Sequence, residues 1–123
     1  MFYYIAIISW AFLIYWGSSV QASDLPSAPS YTSFVVHLFE YFILGGLLTK
    51  LVQRIKSCVL SYKKTLMVVI LIGMIYAFSD EIHQIFVSGR HFALIDLLTD
   101  AIGLILGSFI FMKLKNFNIV KYS

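Results

Sequence analysis

The sequence predicts an all-α membrane protein, a bundle of four transmembrane helices. Three observations lead there. Of its 123 residues, 60% are hydrophobic and only 12% are charged, with a mean hydropathy of +0.88; a water-soluble domain of this length needs far more charged surface. The apolar residues fall into four runs, 1–20, 31–51, 65–86 and 92–112, each close to the ~20 residues with which an α-helix crosses hydrocarbon. The ~10-residue alternating segments of a β-barrel are absent, so a lipid-exposed backbone must satisfy its own hydrogen bonds as helix. Little chain is left between the runs, and residues 1–123 read as one integral membrane domain.

The first run ends at Val20-Gln21-Ala22, which has the small-x-small form of a signal cleavage site. No Lys or Arg precedes the run, however, and its aromatic residues, among them Trp10, Tyr15 and Trp16, suit an interfacial belt better than a signal core. It is therefore read as a span. The loop that follows carries Pro26, Pro29 and several serines, the composition of a polar connection. The second run contains His37 and Glu40. After it comes a basic stretch with Lys50, Arg54, Lys56, Lys63 and Lys64. The third run ends in Ser79-Asp80-Glu81-Ile82-His83-Gln84, and a short turn with Gly89 and Arg90 leads to the fourth run, which contains Asp96 and Asp100.

Orientation follows from Lys and Arg. The first loop holds neither, whereas the second loop and its edge hold five, and the tail adds Lys113, Lys115 and Lys121. The positive-inside rule expects the second loop and both termini in the cytoplasm. Eight of the nine basic residues agree; Arg90 is the exception, and it lies beside the acidic cluster. In this topology His37 and Glu40, then Asp80, Glu81, His83 and Gln84, then Asp96 and Asp100 all fall in the outer halves of their helices. At ~1.5 Å per residue, Glu40 and Asp100 lie roughly 12–14 Å below their helix starts.

Carboxylates within a span cost several kcal/mol unless neutralised, paired or hydrated. Helical spacing puts Asp96, Asp100, Gly103 and Gly107 on one stripe, whose lower half is a small-x-x-x-small pattern that lets two helices approach closely. The stripe is therefore expected to face the bundle and carry both aspartates inward. His37, Glu40 and Tyr41 share a face, as do Asp80, His83 and Gln84; Glu81 lies about 100° from Asp80. The expectation is an outward-facing polar site of His37, Glu40, Asp80, Glu81, His83, Gln84, Arg90, Asp96 and Asp100. Neutral acids bonding helix to helix are the structural alternative. As a site, the set suits a divalent cation (carboxylates for Mg²⁺ or Ca²⁺, histidine for Zn²⁺), acid–base chemistry, or a lipid headgroup. No spacing is diagnostic of one metal, and no cofactor is specified.

Other classes are excluded or unsupported. There is no Gly-rich phosphate loop, nucleophile elbow or dinucleotide fingerprint. The single cysteine, Cys58, forms no internal disulfide and reads as an incidental loop residue. The net charge is only +3, and the basic residues cluster on two segments in a pattern that fits membrane orientation and not a nucleic-acid partner.

These motifs taken together resemble the VanZ-like family of small bacterial membrane proteins. The resemblance rests on Trp10 with Ser18-Ser19, H-x-x-E-Y at His37, Glu40 and Tyr41, S-D-E-x-H-Q from Ser79 to Gln84, Gly89-Arg90, and D-L-L-x-D-x-x-G-x-x-x-G from Asp96 to Gly107. Two positions depart from the family pattern: Ser88 stands where proline is common, and Val20 follows the serine pair where Gln-Pro is common. The resemblance implies a multi-pass protein of the bacterial cytoplasmic membrane connected with resistance to glycopeptides such as teicoplanin, whose target is the lipid-linked cell-wall precursor. Two function classes follow. One is a non-enzymatic protein, surrounded by membrane lipids, that binds an amphiphilic antibiotic, a lipid-linked precursor or a headgroup. The other is an intramembrane, metal-dependent enzyme on such a substrate. The first is preferred, because no nucleophile–base pair stands out.

Overall fold

A computed structural model describes residues 1–27, 29–55 and 60–120, with side chains through Leu114. Lys56, Cys58 and Lys121, and the side chain of Lys115, lie outside the described residues. The described chain is helical without strands: α1 (Phe2–Ser19), α2 (Thr32–Arg54), α3 (Tyr62–Gln84) and α4 (Leu94–Val120), with a 3₁₀ turn at Ala22–Asp24. All four helices contain a segment long and apolar enough to cross a membrane.

Local chemistry sets the ends. Helix α3 begins three residues before the apolar run because Ser61 caps it, accepting from the backbone N–H of Lys64 at 3.5 Å. Helix α4 begins two residues later than its run, since Phe92 and Ala93 belong to the connection, and it continues to Val120 beyond the apolar length. Between α3 and α4 the chain turns through Gly89 at φ +75°, a conformation that side chains with a Cβ rarely adopt. A Cβ there would also come within 2.8 Å of the Ala22 side chain. That contact reflects the docking of the two connections, for Ala22 N–H donates to the Ser88 carbonyl at 3.2 Å.

The most extensive interface joins α2 to α4. On α4 the Gly103–Gly107 stripe turns toward α2: a Cβ at Gly103 would lie 2.8 Å from the Leu38 carbonyl oxygen, and one at Gly107 would overlap the Phe42 carbonyl. Gly45 answers from α2, where a Cβ would lie 2.6 Å from the Leu104 carbonyl. Backbone thus meets backbone along this seam. Below it, the buried hydroxyls of Thr49 and Ser108 hydrogen-bond at 2.7 Å. Helix α3 packs on α4 and α2, with Val69 and Ala77 buried in the core beside Leu44, Leu48 and Leu104.

Helix α1 contacts α2 and α3. Tyr3, Ile7, Trp10, Ile14 and Ser18, at offsets of four, three, four and four, make its inward stripe, and only Ile14 and Ser18 are fully buried. Trp10 sits mid-helix and turns inward rather than joining an interfacial belt: its indole N–H donates to the Glu40 carbonyl at 2.9 Å. The Tyr76 hydroxyl reaches the Ala11 carbonyl at 2.5 Å. Phe2, Ile5, Ile8, Phe12 and Trp16 point away from the protein.

Candidate functional site

The up-down order of the helices gathers the C-terminal ends of α1 and α3 and the N-terminal ends of α2 and α4 at one end of the bundle. All nine residues singled out from sequence lie on these helix ends or on the α3–α4 turn. They divide into two adjacent groups that share His37, with His83 apart.

The first group lines a cavity of about 450 Å³. His37, Glu40, Asp80, Gln84 and Arg90 supply its polar wall with Gly17 and Ser18, while Val20, Leu25, Pro26 and Val36 supply apolar surface. Asp80 is buried and well held: Ser18 Oγ donates to Oδ1 at 2.6 Å, and Gln84 Nε2 approaches Oδ2 at 3.5 Å from one helical turn on. Arg90 caps α1, donating to the Val20 carbonyl at 3.2 Å and the Gly17 carbonyl at 3.4 Å. A cation at a helix C-terminus is favourably placed against the helix dipole and satisfies its last carbonyls. Glu40 is different. Its carboxylate lines the cavity and accepts no hydrogen bond from any described residue; Gly17 lies beside it, where a Cβ would be in ordinary van der Waals contact with Oε1 at 3.8 Å.

The second group lies between α2, α3 and α4. His37 Nδ1 is 2.9 Å from Asp100 Oδ1, and His37 Nε2 is 3.8 Å from Asp96 Oδ2. The Nδ1 contact is a hydrogen-bond distance, so an ionised Asp100 takes the Nδ1–H and leaves Nε2 toward Asp96. Glu81 points to this side, its Oε2 accepting the Ala93 N–H at 2.9 Å at the start of α4. One ligand atom each from His37, Glu81 and Asp96 lies within 4.8 Å of the other two, a donor set of one imidazole and two carboxylates that divalent cations accept. His37 and Glu81 are buried; Asp96 is half-buried.

His83 lies on the α1 side of α3, outside the cavity wall. Its ring stacks on Tyr15 at 4.4 Å between centroids, and Nε2 is 2.9 Å from Ser19 Oγ. The 100° step from Asp80 to Glu81 sends one carboxylate to α1 and the other to α4.

The spacing of charged residues carries no sign of the contribution of α1. Ser18 and Gly17 form cavity wall, and Ser19 holds His83. The signal was the pair of adjacent hydroxyls ending an otherwise apolar span. Tyr41, on the His37 face, is fully buried, its ring parallel to that of His37 at 6.5 Å, and its hydroxyl has no partner among the described residues.

Neither the curated proteins nor the solved structures contain a match to the chain. A family model does: residues 2–117, nearly the whole chain, match VanZ/LLP1. With four apolar helices of spanning length, the chain is a multi-pass membrane protein that belongs to the VanZ/LLP1 family.

Proposed function

We propose that this protein binds the polar headgroup of an amphiphile in the cavity between α1, α2 and α3, on the outer side of the bacterial cytoplasmic membrane, and thereby contributes to glycopeptide (teicoplanin-type) resistance or envelope homeostasis. The observation that carries the reading is the cavity itself. Two carboxylates, a guanidinium, an imidazole and a primary amide share it with apolar side chains, the mixed lining expected of a ligand with a polar head and an apolar body. Glu40 supports it most, because a carboxylate that accepts no hydrogen bond from the described residues is available to a ligand's ammonium or hydroxyl groups. Arg90 offers the complementary donor for a phosphate or carboxylate.

The sidedness rests on charge. Among the described residues, Lys50, Arg54, Lys63, Lys64 and Lys113 all lie toward the bundle end opposite the cavity. Reporter fusions at Lys56 and after Ser123 are expected to read cytoplasmic, and fusions at Asp24 and Ser88 external; an external reading at Lys56 overturns the outward-facing site. The His37–Asp100 pair favours a second reading, an intramembrane enzyme, since a carboxylate that orients an imidazole is the arrangement of a general base. Turnover of an amphiphilic substrate by purified protein would establish that reading; saturable binding without turnover would establish the first.

A further inference from the structure

We infer that His37, Glu81 and Asp96 hold one divalent cation of the Zn²⁺/Mn²⁺ class. The inference goes beyond the headgroup reading and does not rest on it. Three helices converge on the cluster, with His37 from α2, Glu81 from α3 and Asp96 from α4, and their ligand atoms already lie within 4.8 Å of one another. Two ligands of one tetrahedral ion at ~2.1 Å are about 3.4 Å apart, so the 3.8 Å between His37 Nε2 and Asp96 Oδ2 is near the separation an ion imposes. It is too long for a hydrogen bond.

The surroundings are those of a metal ligand set. His37 gives its other ring nitrogen to Asp100 at 2.9 Å, as metal-bound histidines give theirs to a carboxylate, which fixes the ring and frees Nε2. The Ala93 N–H fixes one oxygen of Glu81. The other, Oε1, is the independent observation. Glu81 is 0% exposed, and Oε1 has no hydrogen-bond partner among the described residues. A buried carboxylate oxygen without a donor is costly, and a cation shared with His37 and Asp96 removes the cost. The imidazole favours Zn²⁺ over Mg²⁺ and Ca²⁺, which take oxygen ligands, while the two carboxylates also admit Mn²⁺.

The test uses the full chain, free of any affinity tag, purified in detergent and stripped with chelator. Zn²⁺ alone and Mn²⁺ alone are titrated, with bound metal, melting temperature and the X-ray absorption of the Zn²⁺-loaded protein recorded. One ion per chain is expected to bind saturably and raise the melting temperature. Glu81→Gln and Asp96→Asn should each weaken binding at least tenfold, while Asp24→Asn, in the first loop, leaves it unchanged. The absorption spectrum should show a single imidazole among oxygen donors at about 2.0–2.2 Å. No saturable binding, parental affinity in Glu81→Gln and Asp96→Asn, or a shell with no imidazole or with several would overturn the inference. If the variants fail to accumulate, the spectrum of the parent decides alone. A cluster held together by a shared proton would show as absence of binding.

Discussion

Helices α2 and α1 are both apolar enough to span a membrane, yet they are held in the bundle by different means. Helix α2 meets α4 backbone to backbone, through Gly45, Gly103 and Gly107, along the most extensive interface of the molecule. Helix α1 has no such seam. Two of its residues are fully buried, and directed hydrogen bonds hold it: Trp10 to Glu40, Tyr76 to Ala11, Ser18 to Asp80 and the Arg90 guanidinium on its last carbonyls. In lipid, apolar surface alone does not drive helices together, so close packing and interhelical hydrogen bonds carry association. The α2–α4 interface uses both, its backbone seam joined by the Thr49–Ser108 and His37–Asp100 hydrogen bonds, whereas α1 relies on hydrogen bonds without a seam. The cavity lies on the α1 side of the bundle, and its wall includes the helix with the fewest buried residues.

The largest effect is expected at the seam. Gly107→Leu would drive a side chain into the Phe42 carbonyl, and the facing backbone has no side chain to rotate away. Overpacking costs about 1–3 kcal/mol where side chains can adjust; here the loss is expected at or above that upper end, read as failure to accumulate or a collapse of the melting temperature in detergent. Gly103→Leu should behave alike. If both variants accumulate and melt like the parent, the stripe does not pack as described.

At the cavity end, Gly89→Ala faces two obstacles, the positive φ and the Ala22 side chain. A cost of about 1–2 kcal/mol is expected, with hydrogen exchange rising in the α1–α2 connection docked on this turn. The smallest effects belong to α1. Trp10→Phe and Tyr76→Phe each delete one interhelical hydrogen bond, worth about 0.6 kcal/mol on average in a membrane. Global melting should hardly move. Hydrogen exchange along α1 should rise while that of α2 and α4 does not; equal loss in all helices would show that α1 is no less integrated than the rest.

What the sequence could reveal follows the same division. The facing of α4 was legible because Asp96, Asp100, Gly103 and Gly107 repeat at helical spacing, and a periodic stripe has only one way to point. That both aspartates share a depth with Glu40 and Glu81 was legible from helix length and Lys/Arg distribution. Spacing does not identify a partner across helices. Nothing near Asp80 in the chain signals that Ser18, 62 residues earlier, donates to it, or that Glu81 finds the Ala93 backbone. The division of one expected constellation into a cavity and a buried cluster also required the tertiary arrangement, because a 100° step separates two carboxylates without saying what each will meet.

Glu40 offers the most direct test of the proposed function. Its carboxylate accepts no hydrogen bond from the described residues and lines the cavity, so Glu40→Gln removes the capacity to ionise without removing a structural bond. The measurement is teicoplanin susceptibility of a sensitive host expressing parent or Glu40→Gln, with membrane level and melting temperature followed in parallel. The parent is expected to protect, and the variant, folded to within about 0.5 kcal/mol of it, to leave the host as sensitive as an empty vector. A parent that gives no protection, or a Glu40→Gln variant that protects as fully as the parent, would overturn the resistance role of the cavity.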